Sequence, residues 1–264
     1  SIKAILSAKD VGFSSGMKGA LKSLKEVSTQ IKGGFAFGVM AKAGSSAFSA
    51  LTSGAQEMIG EINSSVKTWK TFEGNMKNFG KNKKQISAVK KELQSYAETT
   101  VYNSSEMAST YAQLEAVGVG SMKSLSKGTS GLVKGFGGLA AAAEDPSQAM
   151  KSLSQQATQM AAKPKVAWED FKIMLEQSPA GMAAVAKTMG ISTEKLISQV
   201  QDGKIKTEAF FAAIEKAGGS KGFQKMATQA KTMDQALDGV KEGIANKLMP
   251  AFELFSSIGI KAID

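Results

Sequence analysis

The chain has 264 residues and a formal net charge of +10, and all 33 of its basic residues are lysine. Arginine, histidine and cysteine are absent altogether. These absences exclude Ser-His-Asp and Cys-His nucleophile pairs, imidazole or thiolate metal sites, disulfides, and arginine forks for phosphate or carboxylate.

Abundant Ala, Ser, Lys and Met, with 27 Gly and only 4 Pro, favour helices joined by flexible turns. Aromatics at 7% leave a core of small and medium side chains, which suits close helix-on-helix contact. The opening Ser1-Ile2-Lys3-Ala4 has neither the basic head nor the apolar run of a secretory signal. The positive charge is uneven: residues 1–100 hold 15 Lys against 7 acids, densest at Lys81, Lys83, Lys84, Lys90 and Lys91. Such a surface suits an acidic partner.

In chain order, Ile2, Ala4 and Leu6 alternate with Lys3 and Ser7 and predict a short strand over 2–8. Met17, Leu21, Leu24 and Ile31 predict a helix over 15–32, ended by Gly33-Gly34. Gly34-Phe35-Ala36-Phe37-Gly38 has a small-xxx-small spacing that would let helices approach closely. A long seam follows: Phe48, Leu51, Ala55, Met58, Ile62, Val66, Trp69, Phe72 and Met76 step by threes and fours. It would span about 45 Å as helix. The polar stretch 78–84 predicts a boundary, dividing an N-terminal basic region, 1–80, from a helical domain, 81–264.

Beyond that boundary the helices shorten. One is predicted over 85–99 with Ile86, Val89, Leu93 and Tyr96 on its inner face, and another to Val117, capped by Asn103 or Ser104. A loop over 118–130 leads to a small-residue helix over 131–143. Asp145-Pro146 reads as a cap with proline at the first helical position, and Ser178-Pro179 repeats it. Gly190 ends the second of these helices, and Ile191 and Leu196 bracket Ser192 as a hydrophobic staple. Thr207 is the predicted cap of a helix over 208–217, stopped by Gly218-Gly219. A second seam, Phe223, Met226, Ala230, Met233, Leu237, Val240, Ile244 and Leu248, has heptad-like spacing before Pro250. The expected fold is all-α: a multi-helix domain flanked by long amphipathic helices, with one short strand at the start.

No catalytic, cofactor-binding or metal-binding residue is expected. Gly135-Phe136-Gly137-Gly138 follows no predicted strand and lacks the lysine of a phosphate loop. A helical muramidase working through carboxylates remains as a lesser alternative, with Glu115 and Glu176 as nominal acids. Trp69 and Trp168 lie on helical seams, where core packing is expected, and without arginine no sequence-specific nucleic-acid readout is expected. A second alternative is a membrane-active, pore-forming helical protein using residues 33–59.

Seven runs carry a resemblance, in order along residues 60–260. They are Trp69–Met76 (WKTFEGNM), Val89–Ala97 (VKKELQSYA), Ser105–Leu114 (SEMASTYAQL), Gly135–Ala143 (GFGGLAAAA), Gln155–Pro164 (QQATQMAAKP), Ser178–Val185 (SPAGMAAV) and Gln201–Phe211 (QDGKIKTEAFF). With them the chain resembles the tape measure proteins of long-tailed bacteriophages. The resemblance implies a structural virion protein that scaffolds the tail and helps determine its length. Several copies, often three, would lie in the tail lumen after assembly in the host cytoplasm. Implied partners are the tail tube protein, tail assembly chaperones and tail tip proteins, with host membrane contact when the genome crosses the envelope. Even fully helical, the chain would reach only about 400 Å. The chain is therefore expected to be part of a longer protein, folding near one end of the assembly rather than serving as the ruler.

Overall fold

The computed structural model describes residues 55–229, with side chains from residue 65 onward. The expected strand over 2–8, the helix over 15–32, the Gly34–Gly38 spacing and most of the second seam lie outside the described residues. So does most of the 33–59 segment.

Among the described residues the fold is all-α, as expected. Ten helices follow one another: α1 (Ala55–Asn78), α2 (Lys83–Glu98), α3 (Ser104–Ala116), α4 (Gly128–Ala140), α5 (Pro146–Ala161), α6 (Trp168–Gln177), α7 (Pro179–Thr188), α8 (Thr193–Gln201), α9 (Thr207–Gly218) and α10 (Lys221–Ala227). The only extended pairing among these residues is one antiparallel bridge between Lys165 and Lys206. Residues Thr68–Lys231 form a compact unit.

That unit is organised around α4. Every α4 residue except Gly128 and Lys134 is buried, a pattern that fits a helix enclosed on all sides rather than a surface one. Helices α2, α3, α5, α7, α9 and α10 all pack against it, α9 most extensively. The α4–α9 approach is possible because the crossing is lined by glycine. A Cβ on Gly135 would lie 2.8 Å from the Ile214 carbonyl oxygen, and one on Gly138 or Gly218 would strike the facing backbone. The run GFGG is thus a packing surface, and Gly218, expected as a helix stop, serves mainly to let α4 come close. Around this contact Phe136 meets Phe211 edge-on at 6.4 Å, and Phe171 meets Phe210 at 5.8 Å.

The inner end of the first seam is covered by the chain itself. Val66, Trp69, Phe72 and Met76 are all buried. Trp69 packs edge-on against Phe72 at 5.3 Å, and Phe72 against Tyr111 of α3 at 5.7 Å. This stretch is therefore buried without any second copy of the chain. Of the second seam, Phe223 is half-buried and Met226 is 39% exposed. Trp168 proves only half-buried, stacked obliquely on Phe171 at 6.1 Å.

Several caps form as the side chains dictate. Asn103, not Ser104, caps α3 by accepting from the Ser105 amide at 2.7 Å, while Ser104 is buried. Asp145 accepts from the Gln148 amide at 3.0 Å, and Ser192 from the Lys195 amide at 3.2 Å. Others differ from expectation. Ser178 makes no local cap; its hydroxyl donates across to the Leu139 carbonyl at 2.8 Å and so ties α7 to α4. Thr207 is already inside α9, its amide donating to the Pro164 carbonyl at 3.1 Å, because the bridge beside it holds that backbone extended. α2 starts earlier than expected, at Lys83, since Asn82 and Gln85 form a reciprocal capping box. α4 starts at Gly128 and ends at Ala140, displaced towards the N-terminus from the expected 131–143.

Candidate functional site

The displaced start of α4 leads to a buried carboxylate held by three donors. Glu215 of α9 is 7% exposed and turns its carboxylate towards the residues just before α4. The amides of Ser126 and Lys127 donate to it at 2.8 and 2.7 Å, and the Ser126 hydroxyl at 3.0 Å. A carboxylate from another helix thus does the work of an N-cap, at the end of α4 where the helix dipole favours negative charge. Gly131 makes the room: a Cβ there would run into the Glu215 carboxylate.

A second carboxylate sits near the same turn. Glu115 of α3 accepts from the Thr129 hydroxyl at 2.7 Å and pairs with Lys81 at 3.3 Å. Gly120 lies against it, where a Cβ would come within 2.6 Å of both carboxylate oxygens. Glu176, the other nominal muramidase acid, stands on α6 with its side chain 60% exposed and Lys172 at 3.9 Å. The two acids sit on different helices with separate partners, one fixed by donors and one in solvent. Nothing in this geometry joins them into a catalytic pair. Among the described residues no group of three or more acids could hold a metal ion.

Two tyrosines line the other flank of α4. The Tyr102 hydroxyl donates to the Gly137 carbonyl, and the Tyr96 hydroxyl lies 3.4 Å from the Lys134 carbonyl. Gly137 admits both rings, since a Cβ there would meet Tyr96 and Tyr102. Burial pushes the phenols of Tyr96 and Tyr102 well above the ordinary tyrosine range. Burial does the same for Tyr111, with the neighbouring Glu115 carboxylate adding to it.

The lysine-rich region divides into two groups. Lys81 pairs with Glu115; Lys90 pairs with Glu73 at 2.9 Å and lies 5.5 Å from the Trp69 ring centre; Lys134 pairs with Glu92 at 2.7 Å over Tyr96. Lys83, Lys84 and Lys91 point to solvent. Sequence spacing did not single out Glu215, or Glu73 and Glu92 as ion-pair partners, because each of these contacts reaches beyond the helix that carries the acid.

A protein-family model described as "Tape measure protein" matches residues 60–248, which is well over half of the chain and includes the whole α4-centred unit. The chain belongs to the tape measure protein family. No curated protein and no solved structure matches it. Membership gives it a structural role in the bacteriophage tail, within a family that is structural rather than enzymatic. Among the described residues no helix is long and apolar enough to cross a membrane.

Proposed function

We propose that this tape measure chain lies inside the tail tube, scaffolds tail assembly and takes part in setting tail length. The observation that carries this reading is the span of the family match, residues 60–248, over a domain with an uninterrupted buried core. Copies of the chain, three in the simplest arrangement, would run along the tail axis and contact tube protein, assembly chaperones and tail tip proteins. The basic N-terminal region, 1–80, would face an acidic wall, and the helical portion, 81–264, would provide the folded part. Assembly would begin in the host cytoplasm, and the chain would later assist genome passage through the envelope.

The α4-centred unit is suited to a hub more than to a ruler. A folded unit of this size has a radius of gyration of about 15 Å. The same residues as one helix would reach roughly 250 Å. A ruler gains length in proportion to residues, and this unit gives most of that length up to bury its core. The domain would therefore anchor one end of the assembly.

The test is an in-frame deletion of residues 60–248 in the phage, with tails measured by electron microscopy. The expected result is loss of tails or tails of irregular length. Normal, infectious tails of unchanged length would refute a scaffolding role. Uniform tails shortened by about 1.5 Å per deleted residue would refute the hub and make this segment the ruler.

A further inference from the structure

The chain enters and leaves the compact unit at one end. α1 begins at Ala55, ahead of the unit's first residue, Thr68, and continues into it. Inside the unit α2 runs back along α1: Lys90 pairs with Glu73 at 2.9 Å and lies 5.5 Å from the Trp69 ring centre. Eight residues beyond Lys90, the end of α2 at Glu98 is therefore level with about residues 61–65 of α1. Just after it, the Val101 amide donates at 3.1 Å to the carbonyl of Ala227, the last residue of α10. The outgoing chain thus starts beside the point where α1 comes in. Both segments carry an apolar seam. The helical register of α1 places Ala55, Met58 and Ile62 on the same face as the buried Val66. α10 leaves Met226 39% exposed, and the spacing that Met226 belongs to continues in the sequence at Ala230, Met233, Leu237 and Val240.

We propose that residues 230–240 pack antiparallel against residues 48–58 of the same chain as a two-helix coiled coil. The direction follows from the shared end: α1 runs into the unit there, and a segment that runs out beside it lies antiparallel. A parallel pair would require the outgoing chain to travel the full length of the seam and turn back first. Taken in opposite directions, the two seams coincide layer by layer, Met58 with Ala230, Ala55 with Met233, Leu51 with Leu237 and Phe48 with Val240. Methionine faces alanine in the first two layers, and such large-to-small pairing fills the space between close helices. The tether selects the occupant. Only Thr228 and Gln229 separate Ala227 from the first layer, so the segment stands at α1 with a local concentration of about millimolar, far above that of a second copy. The pair brings residues 1–47 and 241–264 out of the fold together, so the basic N-terminal region is presented beside the C-terminal segment. The tail role proposed above stands whether or not this pair forms.

The test is disulfide trapping in the full chain, which has no cysteine of its own. Paired cysteine variants, mixed with isotope-labelled copies of themselves, are treated with oxidised glutathione, which accepts the two electrons and two protons of each new bond. Products are read by non-reducing electrophoresis and peptide mass spectrometry. Ala55→Cys with Met233→Cys should close an intrachain disulfide at least about tenfold faster than Ala55→Cys with Val240→Cys, whose partner is two turns, roughly 10 Å, out of register. Met58→Cys with Ala230→Cys, a second in-register pair, should behave like the first. Unchanged thermal midpoints of the reduced variants would report an intact α4-centred unit. Equal rates for in-register and offset pairs, or no intrachain disulfide in either in-register pair, would overturn the proposal. So would disulfides found only between labelled and unlabelled chains, which would make the occupant a second copy.

Discussion

The glycine-lined crossing of α4 and α9 predicts that one substitution, glycine to alanine, changes sign with position. A Cβ on Gly218 would lie 1.9 Å from the Gly135 carbonyl oxygen, about 1 Å inside any tolerable contact. The clash is with backbone, so relief requires α9 to move away from α4, loosening Gly135, Gly138 and the Phe136–Phe211 contact together. Overpacking of this kind costs about 3 kcal/mol, outweighing the ~1 kcal/mol by which alanine favours a helix over glycine. Gly74 is the control: it lies at an exposed position within α1, with nothing within 4 Å of its would-be Cβ. Gly74→Ala should therefore stabilise the protein by up to ~1 kcal/mol. At 2–4 °C per kcal/mol, thermal unfolding followed by circular dichroism should show Gly218→Ala, with a net cost of about 2 kcal/mol, lowered by roughly 4–8 °C and Gly74→Ala raised by roughly 2–4 °C. A Gly218→Ala midpoint equal to or above wild type would refute the close crossing.

The remaining predictions concern buried polar groups. Glu215→Gln removes a charged acceptor from three donors and should cost about 2–4 kcal/mol, with faster hydrogen exchange at the Ser126 and Lys127 amides. An unchanged exchange pattern would contradict the remote cap. All three tyrosines of the chain are buried with phenols pushed upward. Their folded-state affinity for protons exceeds the unfolded value near 10.0, so the stability they contribute is complete below that pH and is lost as pH rises above it. Phenolate absorbance should then appear only together with alkaline unfolding; a phenol titrating in the folded protein would contradict the burial. Glu115→Gln should destabilise by about 1–3 kcal/mol and Glu176→Gln by less than ~0.5, with neither altering any effect on cell walls.

Local signals in the sequence were legible where the chain decides its own conformation. Asn103, Asp145 and Ser192 cap through amides two or three residues away, and Gly190, at φ +76, ends α7. Of the apolar steps expected on the inner face of α2, Ile86, Leu93 and Tyr96 are buried and Val89 is half-buried. Tertiary contacts overrode the rest. Ser178 looks like a cap by spacing, but α4 offers its hydroxyl a better partner in the buried Leu139 carbonyl. The start of α4 was illegible because its cap, Glu215, is nearly ninety residues away in the chain. The glycines of GFGG read only as part of a small-residue helix until α9 supplies the surface that requires them. No catalytic constellation was legible from composition, and Glu115 and Glu176 are held apart by their separate partners. The lysine cluster was visible as a run, but its division into engaged and exposed members depended on Glu73 and Glu115.

The most direct measurement is carbodiimide cross-linking of purified intact tails, which joins lysine amines to activated carboxylates as amides, followed by mass spectrometry. The account predicts this chain within the particle, with cross-links from its first hundred residues to acidic stretches of the tube protein's inner surface. It also predicts cross-links between copies of the chain. Tails that lack the polypeptide, or cross-links confined to the outer surface of the tube, would contradict it.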